Sequence, residues 1–427
     1  MKNKKIAIVF VSGSVGELDW NLEILEYLIK KKFFIKIIIL KKKAFESIKK
    51  NRLIYDFINQ KNDSIELFFR FGYFIEKIRH YTYLAYRILI KLKIDQFLLT
   101  SKFLDFFLWI FHRTFIYNLP DFVKNNEHQK FLFFADFPSL RFPWNVWIRK
   151  KFKNSIFIYH PHSQSIYATN FEQKYDTSVI NYNKKNFLLL GHQLDYLNIN
   201  DGKELASNNL EKIFIGHPNW SKKRIHRFIS NKNIDDILLN QNNKTNVLIL
   251  SKHFGSYFDE KYHTHLAETS IKVIKKIIPN SNIFIKKHPR ETKSHWDILA
   301  NKDMSIKIVD FHVQQIATKA DFVISIWNSA SVDCYAMGIP VIEYYDPNRF
   351  SKNTIFNGNS YTTVYRILGV VIPVNNENEL QSAIKDLVKN KFKLPILKNH
   401  SFYNQIIDLS NTWEEKIKNI LISNNLL

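Results

Sequence analysis

Short apolar runs alternate with amphipathic stretches along most of the chain. The run Lys5 to Phe10 (KIAIVF) leads into Ser12-Gly13-Ser14-Val15-Gly16. Leu18, Leu22, Leu25, Tyr27, Leu28 and Ile29 follow at helical spacing, and a second run spans Phe34 to Leu40. Unbroken apolar runs fit strands buried on both faces, so the pattern predicts strand, glycine loop, helix, strand, which is the βαβ opening of a parallel sheet. Residues 66–118 carry longer helical patterning rich in Phe and Tyr, with Lys and Arg interspersed, and are expected to form a helical insertion. Further strands are expected at Lys130 to Ala135, Ser155 to Tyr159, Phe187 to Leu190 and Lys212 to Ile215.

A polar stretch with Lys222, Lys223, Arg224 and the Asn-rich patch at 240–246 separates this series from a second one. The second series runs Val247 to Leu250, helix 264–278, Asn282 to Ile285, Ile306 to Val309, helix 313–319, Phe322 to Ile324, helix 330–337, Val341 to Glu343, Val370 to Ile372 and helix 377–390. The expected fold class is therefore α/β, with two Rossmann-like doubly wound domains facing a deep cleft. The N-terminal domain is 1–220, a linker follows at 221–245, the second domain is 246–400, and 401–427 is one amphipathic helix that can pack back on the first domain. Ligands bind such sheets at the carboxyl ends of their strands, so chemistry belongs on the strand-to-helix loops.

Composition narrows the class. The 427 residues are 45% hydrophobic and 24% charged, with Gly 10 and Pro 11, which excludes fibrous and low-complexity chains. A single cysteine, Cys334, excludes an intramolecular disulfide framework and a thiolate metal cage and fits a reducing compartment. Lys+Arg 62 against Asp+Glu 39 gives a net charge of +23, which suits an anionic partner: nucleic acid, an anionic membrane surface or acidic substrates. The most apolar stretch, Phe97 to Tyr117, is broken by Lys102, Asp105, His112 and Arg113, so a spanning helix is not expected and the cytoplasm is the expected location.

Four loops carry candidate chemistry. Gly13 and Gly16 let the chain turn sharply into a helix whose first turn holds Glu17 and Asp19. Either acid can serve as a general base, or both can simply complement the helix dipole. Lys286, Lys287, His288, Pro289 and Arg290 follow a strand directly and can hold a nucleotide phosphate, with His288 neutralising charge on the leaving group. In the stretch Asn328, Ser329, Ala330, Ser331, a hydroxyl-rich loop opens a helix, where Ser329 is either a phosphate donor or an N-cap. Glu343 ends the next strand and is placed to contact ribose or sugar hydroxyls, or else pairs with a nearby lysine. His160, His162 and Ser163 follow another strand and can line the cleft or an acceptor site, and His217 with Pro218 falls near the hinge. There is no Asp-x-Asp, and neither His160-Pro161-His162 nor His263-Thr264-His265 has a third ligand close by, so no metal is expected.

Val15-Gly16-Glu17, Lys287-His288-Pro289-Arg290-Glu291, and Ala320-Asp321 through Ser329-Ala330-Ser331 to Gly338-Ile339-Pro340-Val341 together resemble bacterial inverting glycosyltransferases of the GT-B architecture. The similarity is to Kdo transferases and to the capsule and sialic-acid transferases that use CMP-activated acidic sugars. It implies that Glu17, with Asp19 as fallback, deprotonates an acceptor hydroxyl, and that His288, Lys287, Ser329 and Ser331 stabilise the departing nucleotide phosphate. No cofactor is implied beyond a CMP-sugar co-substrate. The implied partners are that donor and a glycan or lipid-linked acceptor. An anionic inner membrane face is a further expected partner, from the basic, aromatic segment 66–118. The N-terminal membrane helix and the Asp-Asp-Gly motif found in parts of those families are absent here. Two enzymes of the same fold remain alternatives, a UDP-sugar 2-epimerase and a CDP-alditol phosphotransferase. From another class, a basic nucleic-acid-binding protein stays open, although no recognisable nucleic-acid module is present.

Overall fold

The structure is a computed structural model. It describes residues 5–11, 15–69, 130–136, 154–160, 186–191, 210–230, 244–253, 259–288, 294–349, 355–357, 360–394 and 400–427, together with isolated positions at 77, 81, 84, 148, 152 and 291. Most of the expected insertion 66–118 and most of the 221–245 linker lie outside the described residues, as do Gly13, His162, Ser163, Pro289 and Arg290.

β1 (Lys5–Val11) pairs in parallel with β2 (Phe33–Ile39) and β4 (Leu132–Ala135). The sheet is completed by β3 (Ile65–Phe69), β5 (Ile156–Tyr159), β6 (Asn186–Leu190) and β7 (Leu210–Phe214), in the order β3-β2-β1-β4-β5-β6-β7. Strand alternation supplies both faces: Ile6, Ile8 and Phe10 enter one apolar cluster, and Ala7, Val9 and Val11 enter the other. β3 corrects the expectation that helical structure begins at residue 66. Glu66 meets the buried Lys36 of β2 at 2.5 Å, and that ammonium also lies over the Phe34 and Phe68 rings, so pairing with β2 takes Ile65–Phe69 into the sheet.

The second sheet runs β10 (Ile306–Ile308), β9 (Ser281–Lys286), β8 (Thr245–Leu250), β11 (Phe322–Ser325), β12 (Val341–Tyr344), β15 (Ile372–Val374), all parallel. Both sheets reverse their strand order once, between β1 and β4 and between β8 and β11, and these are the switch points at which open parallel sheets take ligands. The two-domain GT-B architecture is therefore the fold. A small hairpin, β13 (Ile355–Asn357) with β14 (Ser360–Thr362), precedes the last strand.

The chain end forms two helices rather than one, His400–Asn411 and Trp413–Ser423. The break has a local cause. Ser410, Asn411 and Thr412 are weak helix formers whose side chains seek backbone partners. Ser410 Oγ accepts from His217 N at 2.8 Å, and Asn411 Oδ1 accepts from Lys222 N at 2.9 Å, so the break is stitched to the hinge. Beyond it, Trp413, Ile417, Ile420 and Leu421 join the core of the first domain. Among the described residues, no helix is long and apolar enough to cross a membrane.

Candidate functional site

The carboxyl edges of the two sheets meet. The helix after β1, Gly16–Lys30, brings Asp19 to the loop after β10, where Asp19 Oδ2 and His312 Nε2 are 3.1 Å apart. Between them lies the hinge helix Lys222–Ser230, whose Arg224 is 1% exposed. Its guanidinium donates to Asp19 Oδ1 at 3.2 Å, Glu23 Oε1 at 3.4 Å and Gln314 Oε1 at 2.9 Å, and it lies over the Phe228 ring. Burial alone would raise the Asp19 pKa, but His312 and Arg224 outweigh it and bring it down to about 2. So poor a base is ill suited to activating an acceptor, and Asp19 belongs to the interdomain ion pair.

Asp333 completes this contact from the helix Ala330–Ala336, its Oδ1 accepting from Trp220 Nε1 at 2.8 Å. Burial, with the Asp19 charge adding to it, pushes Asp333 up to about 6, despite the opposing Trp220 bond, His312 and Arg224. The group therefore changes protonation close to neutrality. Two histidines anticipated from sequence lie on the first domain's side of this contact. His217 packs edge-on to Trp20 and Trp220, with ring centroids 4.4 and 4.2 Å apart, and His160 Nδ1 is 3.1 Å from Asn21 Oδ1. Glu17 stands one turn before Asn21 and is 3% exposed, with its carbonyl oxygen accepting from Asn21 Nδ2 at 2.7 Å.

The second domain gathers its cations and imidazoles at its own switch point. Ser251, Lys252 and His253 follow β8, and Lys286, Lys287 and His288 end or follow the adjacent β9. The His253 and His288 rings are 6.5 Å apart. Burial lowers the Lys286 pKa, against the pull of Asp310. Lys287 is held by both oxygens of Asp297, at 3.0 and 2.9 Å. Lys252, 6% exposed, lies over the Trp327 ring at 4.6 Å.

Trp327 opens the loop after β11 with φ 43°, a left-handed conformation costly for a bulky residue and typical of functional loops. Asn328 fixes that loop: its Nδ2 donates to Ser251 O at 2.5 Å, and its Oδ1 caps Ala330 N at 3.0 Å. Ser329 thus takes the N-cap position without a side-chain cap bond, and Asn328 supplies the capping oxygen. Ser331 is fully buried, and its hydroxyl is taken up by Ser325 Oγ and Asn328 O, at 2.7 and 2.6 Å. That hydroxyl locks the loop from beneath. Ser329 is partly exposed at the start of the same helix. Glu343 is fully buried, with Oε2 accepting from Thr363 Oγ1 at 2.8 Å and Arg366 Nε at 2.6 Å. Its partner is an arginine rather than a lysine, and the carboxylate has no exposed surface for a ribose. Burial raises its pKa against the lowering effect of Arg366.

Arg224, His253, His312 and Asp333 were not foreseen as site residues. His253 follows a strand like His288 and was detectable on that ground; the other three converge only in the folded chain.

This is the two-Rossmann GT-B fold with a polar contact between the two carboxyl edges. Solved structures share it over nearly the whole chain. The UDP-GlcNAc 2-epimerase of Neisseria meningitidis bound to UDP-GlcNAc is 11% identical, with TM-score 0.57, covering 98% of this chain and 100% of that one. The UDP-GlcNAc 2-epimerase of Methanocaldococcus jannaschii is 14% identical, with TM-score 0.53 and coverage of 98% and 99%. The HepE protein of Anabaena in complex with UDP-glucose is 11% identical, with TM-score 0.50 and coverage of 98% and 99%. No protein-family model matches the sequence, and no curated protein matches it.

Proposed function

We propose that the protein is an enzyme acting on a UDP-activated sugar, and that its reaction is inversion of the sugar at C2. The observation that carries this is the gathering of Lys252, His253, Lys286, His288 and Ser329 at the β8/β11 switch point, opposite the acid-bearing start of the helix after β1. Cations and imidazoles there suit a diphosphate without a metal. Three solved structures of this fold are complexes with UDP-GlcNAc, UDP or UDP-glucose, which supports uridine in place of the CMP expected from sequence. Inversion at C2 takes the C2 proton while the C1–O bond to UDP breaks, the C–H electron pair becoming a C1–C2 double bond, and then returns a proton to the other face of C2 as UDP re-adds at C1, so the site needs a group that exchanges protons near neutrality. Asp333, at about 6, is such a group.

A second reading, inverting transfer to an acceptor hydroxyl, is favoured by the buried Glu17 in the first turn of the helix after β1. One experiment separates the two. The purified protein is incubated with UDP-GlcNAc in D2O without acceptor and followed by NMR. Deuterium at C2 with a second hexosamine epimer supports inversion. An intact sugar that is consumed only when a glycan acceptor is added supports transfer, and failure of UDP to raise the melting temperature removes both.

A further inference from the structure

Beneath the His288 loop lies a buried polar cluster that neither reading uses. Ser251 is fully buried, and its Oγ lies 2.9 Å from Glu291 Oε1, 2.7 Å from Trp296 Nε1 and 3.1 Å from His263 Nε2. Proton counting fixes the directions. Ser251 has one proton, and only the carboxylate among its three partners must accept it. Its two lone pairs then receive the indole N–H and the His263 Nε2–H. The other oxygen, Glu291 Oε2, accepts from His288 N at 2.6 Å, and Glu291 N returns to His288 O at 2.8 Å. The Glu291 side chain has no exposed surface. One buried carboxylate thus ties the loop after β8, which carries His253, to the loop after β9, which carries His288.

Resting on the reading of this edge as a diphosphate site, we propose that Glu291 is a positioning residue, clamped by Ser251, which holds His288 beside His253 so that both imidazoles meet the same diphosphate. A buried carboxylate with hydrogen bonds to both loops is a stiff connection, because losing either bond takes a close partner from a charged oxygen in the interior, leaving Oε1 only His263 Nε2 at 3.4 Å. Glu291 itself touches no ligand and acts through where it puts His288.

The test is a cycle of UDP affinities by calorimetry on the full chain: wild type, Glu291→Gln, His288→Ala and the double variant. Gln keeps the shape, but its amide N–H₂ meets a serine hydroxyl whose lone pairs are already filled. We expect Glu291→Gln to weaken UDP binding about tenfold. In the His288→Ala background it should change affinity less than about twofold, because the residue it acts through is gone. Ser251→Ala, which releases the clamp from its other end, should show the same non-additivity, with the melting temperature of each variant read beside its affinity to separate a lost fold from a lost position. Independent, multiplying losses in the double variants, or unchanged UDP affinity in both Glu291→Gln and Ser251→Ala, overturn the proposal. If wild type binds no UDP, it is the diphosphate reading that fails, and the positioning role falls with it.

Discussion

Replacing Arg224 by Met tests whether the two domains are held by charge or by packing. Met keeps the length of the side chain and its contact with Phe228 but removes the links to Asp19, Glu23 and Gln314. Breaking a buried ion pair from one side costs about 3 to 5 kcal/mol. Here Asp19 keeps His312 and Glu23 keeps Arg227 at 3.2 Å, so the lower figure, about 3 kcal/mol, applies. At about 2 to 4 °C per kcal/mol for domains of this size, the melting temperature should fall by about 6 to 12 °C at pH 7. The pH dependence is the sharper part. Asp19 has a depressed pKa, so its share of stability is present above 3.8 and lost only as pH falls through about 2. Without Arg224 its carboxylate protonates at higher pH, so the variant loses less than wild type on acidification and the gap between them should be smaller at pH 4 than at pH 7. Scanning calorimetry at both pH values reads the effect. A fall below 2 °C, or an equal fall at pH 7 and pH 4, would refute the electrostatic account.

Other outcomes follow from the same geometry. Asp333→Asn keeps an acceptor for Trp220. Because the cost of a raised acid pKa is absent below the ordinary 3.8, grows as pH rises and is complete above about 6, the variant should gain roughly 1 to 3 kcal/mol at pH 8 and little at pH 4, while exchange of the C2 hydrogen is lost at every pH. Glu17→Gln should cut turnover at least about a hundredfold with UDP affinity unchanged within twofold, as read by steady-state kinetics beside calorimetry. Gly216→Ala should destabilise by roughly 3 kcal/mol or more in chemical denaturation, because φ is 64° and the new Cβ would sit 2.2 Å from Ser410 N. Gly338→Ala, also left-handed at φ 82° but with open space around it, should cost only about 1 kcal/mol.

The strands were legible because a parallel sheet covered on both faces demands unbroken apolar runs, and Val9 or Ile249 can sit nowhere else. The loops holding His288 and Ser329 were legible because they follow such strands directly. Ile65–Phe69 was misread because its phenylalanines merge into the aromatic stretch that follows, and its parallel pairing with β2, with Lys36 against Glu66, shows only in the folded chain. The hairpin at 355–362 carried an Asn357-Gly358 turn signal, but its strands are three residues each, too short for a periodicity to show. The Arg224 contact was invisible for a different reason. Its members lie 90 to 205 positions apart, and a buried charge is recognised by its partners rather than by its neighbours in sequence.

The helix after β1 explains why two acids two positions apart end in different roles. Residues four apart share a helix face, whereas residues two apart do not. Asp19 and Glu23 form one face and both bind Arg224 of the hinge. Glu17 and Asn21 form the other, with Asn21 joined to Glu17 O and to His160 at the end of β5. The face that carries the candidate base and the face that carries the hinge contact therefore belong to one rigid element. Any rotation of the second domain that pulls Arg224 or His312 therefore acts on the helix that places Glu17.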